Sequence, residues 1–106
     1  MSGLWDIVGV MNELSEHVNI TLLRCELTGV AMGVRTRADA KTNIETKLGR
    51  ELDTNETTDL NAVADLFETG TVQDRLVYAA KVEMTLNAAE IGLLNETQFR
   101  SLLGIS

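Results

Sequence analysis

The segment from Thr71 to Ile105, TVQDRLVYAAKVEMTLNAAEIGLLNETQFRSLLGI, constrains this chain more than any other. It reads as a long helix, a short turn and a second helix folded back on the first. Two apolar tracks run down the long helix. Val72, Leu76, Ala79, Val82, Leu86 and Ala89 form one, and Val77, Ala80, Met84, Ala88 and Ile91 form the other. Only a narrow polar strip through Glu83, Asn87 and Glu90 is left. A helix that is apolar on two sides has to be covered on two sides, either by the rest of the chain or by another chain. Thr71 with Asp74 makes a capping box at the start, and Gly92 closes the end. Asn95 then caps the last helix, with Leu94 and Phe99 at the positions of a hydrophobic staple. Leu102, Leu103 and Ile105 keep the tail apolar, so it is expected to dock.

The segments before this hairpin are the candidate cover. Leu4, Ile7, Met11, Leu14 and Val18 fall on one helical stripe, which predicts a helix from about Gly3 to Val18 capped by Ser2. Residues 19–37 allow two readings. As a helix, Ile20, Leu23, Leu27, Val30 and Val34 continue a heptad, with Gly29 and Gly33 offering a close-contact face. As strands, Leu23 to Leu27 alternate and Thr28-Gly29 turns the chain back. From Ala38 to Leu52 a solvated helix is expected, with a thin stripe of Ile44, Leu48 and Leu52 and a Lys41–Glu45 pair. Asp53 to Thr58, DTNETT, reads as a polar loop, and a helix from about Glu56 to Glu68 then places Leu60, Val63, Ala64 and Phe67 on one side.

The expected fold is therefore all-α, a small bundle of four or five helices in a single domain over residues 1–106 with a polar break at 53–58. In one form it intertwines with other copies. The alternative is α+β, with a β-hairpin at about 20–36.

Composition sharpens this picture. The 106 residues contain no proline, which favours long helices, and only 4% aromatics, which leaves Leu, Val, Ile, Ala and Met to build the core. The formal charge of −7 is uneven: −3 over residues 1–34, +1 over 35–53 and −5 over 54–106. Such a balance opposes binding to nucleic-acid phosphates or to an anionic membrane. Arg35, Arg37, Lys41, Lys47 and Arg50 are the only basic concentration, and the acids among them point to salt bridges in a subunit interface. No secretory signal or spanning run is evident, so a cytoplasmic protein is expected.

The residues of chemistry are sparse. His17, the one histidine, follows Glu13 by four residues, but no second ligand pair completes a metal site. Cys25, the one cysteine, reads as a small core residue beside Leu23 and Leu27. No glycine pattern cradles phosphate, and no acidic run has calcium-loop spacing. Asp59 and Asp65 are six residues apart, off a common helix face, and read as solvent charges. No catalytic, cofactor, metal or small-molecule site is expected, and no enzyme.

Residues 87–105, NAAEIGLLNETQFRSLLGI, resemble a helical hairpin found near the ends of tailed-phage structural and head-assembly proteins, with the cadence of a Gly-Leu turn, an N-cap, an arginine and Leu-Leu-Gly-Ile. The resemblance covers 19 residues. It implies a structural or morphogenesis role, and a virion location, and carries no catalytic residue across.

The functional expectation is a small acidic interaction or structural protein that binds other copies or other protein subunits. The alternative is an acidic inhibitor occupying the basic site of a host nucleic-acid-binding enzyme. The contact is expected at or beside Leu86, Ile91, Leu94, Phe99, Leu102 and Ile105.

Overall fold

Four helix starts in this chain use one device. In the computed structural model, which describes residues 3–8 and 13–105 (side chains for 3–8 and 19–105), each of four N-cap side chains accepts from the backbone three residues on. The residue at that third position reaches back to the cap's own N–H. The boxes are Thr36/Asp39, Asp53/Glu56, Thr71/Asp74 and Asn95/Gln98. Each satisfies two backbone donors that a helix start leaves unpaired. They open α3 (Arg37–Leu48), α4 (Thr54–Glu68), α5 (Val72–Glu90) and α6 (Glu96–Leu103), preceded by α1 (Leu4–Val8) and α2 (Glu13–Ala31). Left-handed glycines at Gly49, Gly92 and Gly104 follow α3, α5 and α6, a conformation that costs glycine little.

The fold is an all-α bundle of six helices among the described residues. Helices α2 and α5 form the most extensive pair, α3 and α4 pack on α2, and α1 and α6 close one end. One continuous core joins all six. It includes Leu4 and Ile7 of α1, Ile20, Leu23 and Leu27 of α2, Ile44 of α3, Leu60, Val63 and Phe67 of α4, Val82 and Leu86 of α5, and Phe99 and Leu103 of α6. All four aromatic residues meet in pairs at this core. Trp5 lies 5.1 Å from Phe99 between ring centroids, and Phe67 lies 5.0 Å from Tyr78, edge to face.

The hairpin alternative for residues 20–36 does not hold, since α2 runs unbroken through Ala31. Burial shows why. A strand would put Leu23, Cys25 and Leu27 on one side, yet Leu23 and Leu27 are buried while Cys25 is exposed. The helical stripe Ile20, Leu23, Leu27, Val30 faces the core instead. Cys25 is thus not a core residue. Gly33 gives no close helix contact either; it lies beyond the end of α2 at φ 74°, in open space.

Two boundaries also move. Asn19 resembles a helix cap, but its Nδ2 donates to the Ile7 carbonyl at 3.0 Å and α2 continues through it. Residues 54–58 are helix rather than loop. The Asp53/Glu56 box starts α4 at Thr54, and Glu56 is held in place by Arg50 at 2.7 and 2.8 Å. The proposed Ser2 cap and the side chains of Met11, Leu14, His17 and Val18 lie outside the described residues.

Candidate protein-binding surface

The two tracks of α5 have different fates. On the first, Ala79, Val82, Leu86 and Ala89 are buried against this chain's own helices. On the second, Val77, Met84 and Ile91 stand 65%, 70% and 70% exposed. Val72 and Leu76, which begin the first track, and Leu93, in the turn after α5, are exposed as well. Among the described residues, the bundle buries one side of α5 and leaves the large residues of the other exposed. Large aliphatic side chains each carry roughly 100 Å² of apolar surface, so Val77, Met84 and Ile91 give this face on the order of 300 Å², within the range of the largest patch on a monomer, which is often functional.

An open groove of about 500 Å³ runs along the bare side, lined by Val77, Ala80, Lys81, Met84, Thr85, Ala88 and Leu102. Leu102 belongs to α6 and also lines a second hollow with Leu94, Thr97, Gln98 and Ser101, so the two run together around α6. The groove is almost free of polar groups. Thr85 turns its hydroxyl onto the Lys81 carbonyl at 2.6 Å, which removes the one hydroxyl from contention as a recognition group.

The expected contact residues divide. Ile91 and Leu102 are exposed on this surface and Leu94 is partly buried at its edge. Leu86, Phe99 and Ile105 sit in the chain's own core and hold α5 and α6 together beneath the surface. Tyr78 secures the same joint: its hydroxyl donates to the Leu103 carbonyl at 2.5 Å, and burial pushes its pKa up to about 12.

The charged residues are largely engaged within the chain, which corrects the idea that the basic stretch serves a subunit interface. Arg35 pairs with Glu26 at 2.7 Å, Arg37 with Asp65 and Glu68 at 2.8 and 2.6 Å, and Arg50 with Glu56. The Lys41–Glu45 pair forms as expected, at 3.8 Å.

Asp59 is a residue that the sequence reading misplaced. It is 4% exposed, accepts from the Leu4 N–H at 2.9 Å, and takes both guanidinium arms of Arg100 at 2.6 and 3.0 Å. It ties α1, α4 and α6 to one carboxylate. The clue was its spacing, because Glu56, Asp59, Val63 and Phe67 share a stripe at steps of three and four, and an acid on an apolar stripe needs a buried cation.

Asp6, Asp53 and Glu56 bring carboxylate oxygens within 4.8 Å of one another. Arg50 already answers that charge: its hydrogen bond to Glu56, together with the backbone N–H of Asp53, holds the Glu56 carboxyl below its ordinary range. Among the described residues no helix is long and apolar enough to cross a membrane.

The chain matches no protein-family model, no curated protein and no solved structure.

Proposed function

We propose that this is a small acidic structural or assembly protein that works by protein–protein contact, with the bare face of α5 and the adjoining edge of α6 as its binding surface. The phage-like cadence of residues 87–105 makes a virion or assembly component its most specific form. The observation that carries the reading is the second apolar track of α5, whose large residues Val77, Met84 and Ile91 stand exposed along the helix. Water contact with that much apolar surface is unfavourable by about 25 cal/mol per Å², and association removes it.

The inhibitor alternative draws less support. Glu26, Glu56, Asp59, Asp65 and Glu68 are all paired with arginines of the same chain, which leaves fewer acids to imitate phosphates.

Size-exclusion chromatography with light scattering tests the proposal, on the purified protein and on the protein in lysate of its source cell. A species heavier than one chain is expected in at least one setting, and Met84→Lys with Ile91→Lys should abolish it without changing the circular dichroism. A single-chain mass in both settings rules the proposal out.

A further inference from the structure

In its apolar residues the bare face of α5 has the same pattern of large and small in both directions. Counting outward from Met84, three residues either way stand Lys81 and Asn87, four either way Ala80 and Ala88, and seven either way Val77 and Ile91. At about 100° per residue all of these lie within about 60° of Met84 around the helix, so they are one face. Large residues therefore sit at the centre and both ends, with an alanine between them on each side.

A surface of that kind is complementary to itself turned end over end, which is what a twofold contact between identical chains requires. We infer that the face is covered by a second copy of this chain, with α5 packed antiparallel on α5 of the second copy about a twofold axis through Met84. The inference rests on the interaction reading above and specifies its partner.

In this arrangement Met84 meets Met84 of the second copy, and Val77 meets Ile91 of the second copy at both ends. Ala80 and Ala88 let the helices approach closely. Leu102 lines the groove beside Met84, so α6 falls near the axis and adds to the contact.

Charge favours the same occupant. In a chain of net charge −7 the face carries one charged residue, Lys81, and no acid; Glu83 and Glu90 lie about 100–120° away from Met84 around the helix. A basic partner would find no acid there to pair with, whereas the flanking cations Lys81 and Arg24, the latter bonded to Asn87, offset part of the acidic charge of a twin. Val77, Met84 and Ile91, at roughly 100 Å² each, hold on the order of 300 Å² per copy, and Leu102 of α6 adds to them; this is the scale of a weak contact, below the roughly 800 Å² per partner of standard interfaces. Repulsion between two acidic bodies opposes the contact and is screened by salt.

Site-directed crosslinking on the full chain tests the geometry. In a Cys25→Ser background, Met84→Cys should oxidise to a covalent dimer, because helix axes about 10 Å apart place facing Cα atoms about 5–6 Å apart, within disulfide reach. Val77→Cys alone and Ile91→Cys alone should not crosslink, while their mixture should. The dimer dissociation constant should fall at least about threefold between roughly 50 and 500 mM NaCl.

A heavier species with no crosslink through Met84 overturns the twofold and leaves the interaction reading standing. A purified protein that stays single at all concentrations but enlarges in lysate does the same. A single-chain mass in both settings ends both.

Discussion

At the scale of single residues, the fold is held at its closing end by one carboxylate. Gly3 sits against Asp59, and a Cβ built on Gly3 would fall 1.8 Å from Asp59 Oδ2. Its φ of +55° also favours glycine. Gly3→Ala should therefore push Asp59 away from both the Leu4 N–H and Arg100. A loss of about 2–4 kcal/mol is expected in urea denaturation, of the order seen when strain and a disturbed buried pair combine. Gly49→Ala is the control, since open space surrounds Gly49 and only the backbone cost applies. Glu56 gives a second expectation, in pH. Its folded pKa lies below the ordinary 4.5 because Arg50 and the Asp53 N–H favour the charged form. A depressed carboxyl contributes stability that is present above the unfolded pKa and is lost as pH falls through the folded one. Wild type and Glu56→Gln should therefore differ at neutral pH and converge as the pH drops below about 4. A difference that stays constant down to acid pH would show that the ion pair adds nothing.

At the scale of elements, the last helix is fixed by Phe99, Leu103 and the Tyr78 hydroxyl. Tyr78 is the only tyrosine, so phenolate absorbance reports it alone. Its ionisation should lie near 12 in the folded chain and near 10 after denaturation. The folded pKa is raised, so this contribution is complete below about 10 and disappears as pH rises towards 12. Tyr78→Phe should cost about 1 kcal/mol through the lost bond to Leu103. A normal phenol titration in the native protein would mean that α6 does not cover Tyr78.

How far these elements could be read in advance depended on whether local signals competed. Thr71, Asp74, Asn95 and Gly92 act through neighbours in sequence, and they stand where the spacing placed them. The helix boundary expected at Val18, in contrast, does not exist: α2 runs through Asn19, whose Nδ2 donates to the Ile7 carbonyl. In DTNETT several residues could cap, and the choice of Asp53 followed from Glu56, whose place depends on Arg50. Asp59 was misread for the same reason. The stripe of Glu56, Asp59, Val63 and Phe67 signals that a cation is needed, but which one it is depends on Arg100, 41 residues later.

At the scale of the whole molecule, the fold and the binding surface use opposite sides of the same hairpin, which decides how the surface can be tested. Truncation after Gly92 would remove Phe99, Leu103 and Ile105 from the core, the arginine of the Asp59 pair, and the cover over Trp5 and Tyr78. Each large buried side chain is worth about 2 kcal/mol, and losing one partner of a buried pair costs about 3–5 kcal/mol. Together they approach the whole stability of a small domain, about 5–15 kcal/mol. The truncated chain should therefore be unfolded by circular dichroism, and its failure to assemble would say nothing about the surface. Met84 and Ile91 separate the two roles because their side chains already stand in water. Compared at a dilution where both proteins are single chains, the double change to lysine should leave the melting temperature within about 8 °C of wild type, since two exposed substitutions together cost about 1 kcal/mol or less. The same change places charges where association would bury them. Stable monomers from the lysine variant, beside larger species from the wild type, would assign assembly to this face; a variant that melts early would return Met84 and Ile91 to the fold.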